Sequence, residues 1–283
     1  MVPFTKFHGF GNDYIVIERR SIADGTDLTD LAERICHRHT GAGADGIAVI
    51  EKLDGPAADV FCEIINPDGS IAGFSGNGTR CAVSYLYFKS LWDKPELRLE
   101  TRSGIKNYSL LANDRPGGYI FRAEIGQPRF TAKEIPFEGE NGSAEVIDVP
   151  ILSQDREFLI SAVNVGNPVA CIFVEDLDMD WRRYGRDLEV HSAFPERANI
   201  VFVKVNGPAN IELKIWERGV GETASSGTCT SAAAVLSRKK GLTGRKVAVR
   251  TEGGVTDIEW REDDEILITG RADLAYEGEW PYA

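Results

Sequence analysis

Apolar and polar positions along the 283-residue chain fall into short mixed segments rather than one long periodic run. Four stretches are apolar, short and bounded by turn residues: Ile15 to Glu18, Ala48 to Glu51, Val60 to Ile65 and Leu97 to Thr101. Each predicts a strand. Leu28, Leu31 and Ile35 recur at helical spacing, with Asp27 or Thr29 placed to cap the start. A second helix is expected from about Gly76 to Phe88, burying Val83, Leu86 and Tyr87 or their neighbours. A third follows Ser226 through Ala232, Ala233, Val235 and Leu236 and ends at Lys239-Lys240-Gly241. There, cations meet the negative end of the helix dipole and a glycine closes the helix.

The pattern is written twice. Gly11-Asn12-Asp13 before the apolar Tyr14-Ile15-Val16-Ile17 is echoed by Gly166-Asn167-Pro168 before Val169-Ala170-Cys171-Ile172-Phe173, at an offset of 155 residues. Asp45 to Val49 is echoed by Ala198 to Phe202 at 153, and Ile64 to Gly69 by Lys214 to Gly219 at 151. Ser75-Gly76-Asn77-Gly78-Thr79 is echoed by Ser226-Gly227-Thr228-Cys229-Thr230, again at 151, and Leu97 to Thr101 by Val247 to Thr251 at 150. Single Gly-Asn pairs are common turn material, but five matches in one order with a slowly drifting offset imply two related lobes. The weakest stretch between them is residues 131–150, rich in Gly, Pro and charge.

Both Ser-Gly motifs open a helix after a Gly-rich loop. A helix N-terminus offers free N–H groups and partial positive charge, which suits a carboxylate or a developing anion. Two such ends facing across a pseudo-twofold cleft would let one side chain approach a small substrate from each side, the geometry a racemase needs.

Composition removes several other classes. With 44 acidic and 32 basic residues the net charge is −12, which disfavours nucleic acid and anionic membranes as partners. No apolar run approaches the ~18 residues of a membrane span, and the start lacks the pattern of an export signal. The five cysteines (Cys36, Cys62, Cys81, Cys171, Cys229) are an odd number without CxxC spacing. They read as reduced cytosolic thiols rather than disulfides or zinc ligands. Cys81 and Cys229 lie near the Ser-Gly motifs but read as buried small residues. The four histidines show no H-x-x-x-H spacing, so a metal is not expected, and a hydrogen-bonded structural role is the default for His8 or His39. Gly41-Ala42-Gly43-Ala44-Asp45-Gly46 fits G-x-G-x-x-G, but a helix precedes it and a strand follows, the reverse of a dinucleotide site. Three glycosylation-like triplets, at Asn77, Asn107 and Asn141, read as bland in a chain without an export signal.

At this point the residues resemble the diaminopimelate epimerase family, amino-acid racemases that work without pyridoxal phosphate. The resemblance runs over essentially the whole chain. It is carried by Lys6 to Asp13 (KFHGFGND), Arg38 to Gly46 (RHTGAGADG), Asn66 to Ser70 (NPDGS), Ser75 to Cys81 (SGNGTRC), Gly166-Asn167-Pro168, Pro195 to Ile200 (PERANI) and Glu217 to Thr223 (ERGVGET) running into Ser226-Gly227-Thr228. It implies a mixed α/β fold of two pseudo-symmetric lobes, each a β-sheet or barrel wrapped around a central helix. Residues 1–118 with about 268–283 would form the first lobe and 119–267 the second, with the active-site cleft between them. It also implies cofactor-independent epimerisation, nominally of L,L- to meso-diaminopimelate, a lysine and peptidoglycan precursor, by two-base proton transfer at Cα. No cofactor or metal is implied, and the protein would be a cytoplasmic homodimer. Carried over by position, Asn12, Asn66, Asn167, Asn199 and Arg218 would hold the distal amino-acid end of the substrate. Gly76, Asn77, Gly227 and Thr228 would hold the reacting carboxylate, and Glu217 would assist the second acid/base residue.

The departures fall on the chemistry. The family pattern has cysteine where Ser75 and Ser226 stand, and histidine where Val169 stands. A thiol of pKa about 8.5 can be brought to roughly 3.5–7.5 by a helix N-terminus and a cationic neighbour. A serine hydroxyl starts far higher and needs a base at hydrogen-bond distance. Ser226 could borrow Glu217, whereas Ser75 has lost its histidine. Three accounts stay open at this point. The serines could be laboratory substitutions, although silencing two thiols does not call for removing a histidine. The chain could be a natural homologue using the same cleft for a different, carboxylate-based isomerisation; the related phenazine-biosynthesis isomerases show that this fold can lack both cysteines. Or it could be an amino-acid-binding protein without catalysis.

Overall fold

The computed structural model describes residues 1–139, 142 and 144–281. In the first unit, Met1–Glu124 with Thr269–Ala283, the central strands are apolar on both faces. Ile15 and Ile17 face one side of their strand and pack beneath the apolar stripe of a helix, while Tyr14 and Val16 take the opposite side. The elements in order are β1 (Val2–Gly9), β2 (Asn12–Glu18), α1 (Leu28–Cys36), β3 (Ile47–Lys52), β4 (Val60–Ile65), β5 (Ile71–Ala72), α2 (Gly76–Phe88), β6 (Glu96–Thr101), β7 (Gly104–Arg115) and β8 (Gly118–Gly126). Asp27 caps α1 by accepting from the Thr29 N–H at 2.9 Å. Leu31, Ala32 and Ile35 of α1 meet Ile15, Ile17, Ile47 and Val49 in one buried cluster.

The strand pairs close on themselves. β1–β2, β3–β4, β6–β7 and β7–β8 are antiparallel, and β2–β3 and β4–β6 are parallel. The last strand of the chain, β17 (Ile266–Trp280), pairs with β8 and, antiparallel, with β1. The result is an eight-stranded barrel around α2, which leaves these strands no free edge.

The second unit, Ile125–Ile268, holds β9 (Val149–Ser153), β10 (Arg156–Asn164), β11 (Pro168–Phe173), α3 (Trp181–Glu189), β12 (Asn199–Gly207), β13 (Asn210–Glu217), β14 (Gly221–Glu222), α4 (Gly227–Lys239), β15 (Lys246–Thr251) and β16 (Gly254–Trp260). From β10 to β16 the pair orientations run antiparallel, parallel, antiparallel, parallel, antiparallel, the same order as β1 to β7. β9 adds antiparallel to β10. Trp181, Tyr184 and Leu188 of α3 cover Phe158, Ile160, Ile200 and Phe202, as α1 covers its own sheet. The expected mixed α/β fold of two related lobes with central helices is borne out, and the duplicated motif is a duplicated fold.

The central helices are buried far beyond the apolar positions that the sequence marks, Val83 and Leu86 among them. The structure buries every residue of α2 from Gly76 to Leu86 and all of α4 from Thr228 to Ser237, while Tyr87 is only half-buried. Small side chains allow strands to approach on all sides, and the buried hydroxyls turn back on their own helix. Thr79 Oγ1 donates to the Ser75 carbonyl at 2.6 Å, Ser84 Oγ to that of Arg80 at 2.9 Å and Ser237 Oγ to that of Ala233 at 2.7 Å.

Cys81 and Cys229 are fully buried in these helices, and burial pushes the Cys81 thiol up to about 12 and the Cys229 thiol well above the ordinary range. The histidine reading needs correction. It is His37 that organises its loop, its Nδ1 accepting from the Thr40 N–H at 3.1 Å, whereas His8 Nδ1 is buried without a hydrogen-bond partner among the described residues. The Gly41–Gly46 turn lies between α1 and β3, the order that excludes a dinucleotide fingerprint. In the stretch 131–150, Thr131 bridges Glu145, while residues 140, 141 and 143, and with them most of the triplet at Asn141, lie outside the described residues. No helix of the described residues is long and apolar enough to cross a membrane.

Candidate active site

Ser75 stands in extended conformation (φ −135°, ψ 118°) as the N-cap of α2. Its Oγ accepts from the Gly78 N–H at 3.1 Å and donates to Tyr14 Oη at 2.9 Å. The Tyr14 ring needs glycine on two sides, since a Cβ at Gly46 or Gly78 would come within 2.8 Å of it. Asn12 opens β2 after a turn in which Phe10 and Gly11 both take positive φ. Its Nδ2 donates to Asp45 Oδ2 at 2.7 Å, its Oδ1 accepts from Asn77 Nδ2 at 3.2 Å, and Asn77 Oδ1 accepts from Arg80 Nη1 at 2.8 Å. The two amides are therefore oriented from both ends. The acidic end is braced in turn: Asp13 pairs with Lys6 at 2.6 Å and Arg38 at 2.8 Å, and Arg38 also pairs with Asp45 at 2.6 Å. Burial would raise the Asp13 carboxyl, but the Arg38 and Lys6 cations outweigh it and hold it at about 2. Asn66 is engaged elsewhere, its Nδ2 donating to Ser70 Oγ at 3.0 Å across its own turn.

In the second unit Ser226 has nearly the same backbone (φ −145°, ψ 124°), yet its side chain does not cap α4. It donates instead to Glu217 Oε2 at 2.8 Å, while Thr223 Oγ1 donates to Glu217 Oε1 at 2.8 Å. Thr228 Oγ1 lies 3.4 Å from Ser226 Oγ. Glu217 ends β13, and Glu189 of α3 anchors the turn that follows, accepting from Trp216 Nε1 and from the Gly219 N–H at 2.8 Å each. Asn199 Oδ1 accepts from the Arg218 N–H at 2.8 Å, and the exposed Arg218 side chain reaches the Glu196 carbonyl at 2.9 Å. Asn167 follows Gly166, whose φ is 112°, and its Oδ1 is buried with no hydrogen-bond partner among the described residues. Val169 is fully buried on β11, in register with Asn199.

The first unit thus gathers Ser75, Gly76, Asn77 and Asn12 at the start of α2. The second gathers Glu217, Ser226, Gly227 and Thr228 at the start of α4, with Asn199 beside Arg218. Sequence reasoning missed Tyr14, Thr223, Arg80 and Glu189. For Tyr14 a signal existed, because it alternates with Ile15 and therefore faces away from the α1 side of β2.

This fold, related α/β lobes each holding a buried central helix, is that of known epimerases and of phenazine biosynthesis proteins. A hydroxyproline epimerase from Agrobacterium vitis superposes with a TM-score of 0.69 at 15% identity, covering 98% of this chain and 90% of that one. A phenazine biosynthesis protein from Bacillus anthracis gives 0.70 at 16%, covering 99% of each. Sequence narrows the class. The family model of diaminopimelate epimerase matches residues 4–131 and 161–275. The diaminopimelate epimerase of Pelotomaculum thermopropionicum is 39% identical over 281 residues, 99% of both chains. The chain belongs to the diaminopimelate epimerase family.

Proposed function

We propose that the protein is a cofactor-independent epimerase that moves the proton at Cα of an amino acid, nominally converting L,L-diaminopimelate to its meso form, with Glu217 as the base. The observation that carries this is the Ser226 hydroxyl, held at the start of α4 and already donating to Glu217 at 2.8 Å. A serine oxygen becomes a proton acceptor only if its own proton has somewhere to go. Here, as the Cα–H bond breaks and its electron pair stays on carbon, Ser226 Oγ takes that proton and passes its own to Glu217. Ser75, the second hydroxyl of the two-base scheme, gives its proton to the opposite face of carbon; solvent then reprotonates Ser75 and takes up the proton that Glu217 gained, which closes the cycle. Gly76, Asn77, Gly227 and Thr228 offer N–H groups at helix starts to the reacting carboxylate, whose negative charge grows as the carbanion forms. Asn12, Asn167, Asn199 and Arg218 take the distal amino-acid end, joined by Asn66 once its amide leaves Ser70. The buried, unpaired Asn167 Oδ1 is suited to an ammonium donor.

The similarity to diaminopimelate epimerases supports diaminopimelate as substrate; a place in lysine and peptidoglycan precursor supply, a cytoplasmic location and a homodimer are proposed alongside it. A second reading, isomerisation of a different acid by the same carboxylate, is favoured by Ser75, whose hydroxyl donates to a phenol rather than to a base. Incubation in D₂O with candidate acids, following loss of the α-proton signal by NMR, separates the two. Exchange in diaminopimelate is the expected result. Exchange only in another acid selects the second reading, and no exchange together with a ligand-induced rise in Tm leaves binding alone. Light scattering of the purified protein tests the dimer.

A further inference from the structure

Arg80 lies in the first turns of α2 and is 1% exposed. Its Nη1 donates to Asn77 Oδ1 at 2.8 Å and reaches the Arg271 carbonyl at 3.5 Å, while its Nε is buried with no hydrogen-bond partner among the described residues. Among those residues no carboxylate lies within ion-pair range of the guanidinium, whereas other largely buried charges are paired, Asp13 with Lys6 and Arg38, Glu63 with Arg102 and Asp273 with Arg115 and Arg271. A buried cation without a counter-charge is costly, and side chains normally avoid it. Yet the surroundings keep room for this one. A Cβ at Gly270 would fall 2.8 Å from Arg80 Cζ, and one at Gly9 would fall 3.1 Å from Nη1. Just ahead of the guanidinium, the backbone N–H groups of Gly76 and Asn77 open α2 with no acceptor among the described residues. The region holds a positive charge and free donors, and it lacks an anion.

We propose that Arg80 is a positioning residue for a bound carboxylate at the start of α2, acting through Asn77 and supplying the buried positive charge that the carboxylate neutralises. Arg80 fixes Asn77 Oδ1, so Asn77 Nδ2 turns to Asn12, and the helix start is presented in one arrangement. For the ligand's identity this rests on the function proposed above; for its charge and chemical class it does not.

The test is a thermal-shift titration of wild type, Arg80→Met, Arg80→Lys and Gly270→Ala with meso-diaminopimelate and, separately, with sodium acetate at constant ionic strength. Arg80→Met is expected to weaken binding at least about tenfold while its ligand-free Tm equals or exceeds that of wild type, because an unpaired buried charge has gone. Arg80→Lys should recover part of the affinity. Should Arg80→Met fail to fold, Gly270→Ala, which keeps the charge and displaces the guanidinium, is expected to weaken binding without unfolding the protein. Affinity unchanged in Arg80→Met, or unchanged in Gly270→Ala when only that variant folds, overturns the proposal. If wild type ignores diaminopimelate but acetate raises its Tm in an Arg80-dependent way, the substrate reading falls and this one stands. If neither ligand shifts wild type, both fall.

Discussion

The two helix starts carry the same Ser-Gly pair in the same backbone conformation, yet their hydroxyls do different things. Ser75 spends its oxygen on the Gly78 N–H and its proton on Tyr14; Ser226 leaves its helix uncapped and gives its proton to Glu217. The repeat explains why. At the offset that relates the two lobes, the position matching Tyr14 is Val169, and the position matching Glu217 is Asn66, which turns to Ser70. Neither partner is duplicated, so duplication supplied two scaffolds and each acquired its own polar neighbour. The supports differ as well. Asp13 and Asp45, which anchor the first site to Lys6 and Arg38, are matched by Pro168 and Ala198 in the second. A duplicated fold thus holds one serine facing a base and one facing a phenol.

That contrast can be broken at several points. Glu217→Gln keeps the shape and removes the base, and α-proton exchange by NMR should fall by ~10²–10⁴-fold with little change in Tm; a fall below tenfold would move the chemistry away from the second lobe. Asp13→Asn tests the support found in the first lobe only. A carboxyl held at about 2 in the folded chain and near its ordinary value when unfolded contributes about 2 kcal/mol above pH 4. Because the folded value is the lower one, that contribution is lost as pH falls from about 4 to 2. Urea unfolding across this range should show the decline in wild type and a flatter profile in Asp13→Asn.

Capping gives a smaller effect. Ser75→Ala should cost about 1 kcal/mol and speed hydrogen exchange at the Gly78 N–H, whereas Ser226→Ala should leave the first turn of α4 unchanged. Least of all is expected from restoring thiols. Ser75→Cys with Ser226→Cys should change exchange by less than about tenfold unless Val169→His is added. Full activity from the two thiols alone would show that the first lobe needs no base.

Much of this was legible beforehand. Val60 to Ile65 and Gly76 to Phe88 stand as strand and helix with the bounds read from the residues, because turn residues delimit them and local propensity suffices. Asp27 caps α1 for the same local reason. The all-round burial of α2 was not legible, since small polar residues look amphipathic until strands enclose them. Nor was Arg80, whose place in the Ser75 to Cys81 motif says nothing about its isolation from every carboxylate among the described residues.

By itself the sequence determined the repeat, the helix starts, the candidate residues and the family, because each is a matter of order and spacing along one chain. Only the tertiary structure decided what each of those residues touches. Ser75 meets Tyr14 across 61 positions, and Arg80 is enclosed by glycines 71 and 190 positions away. Such pairings arise when a barrel closes around a helix, and a hydroxyl's chemistry depends on the neighbour that closure brings to it.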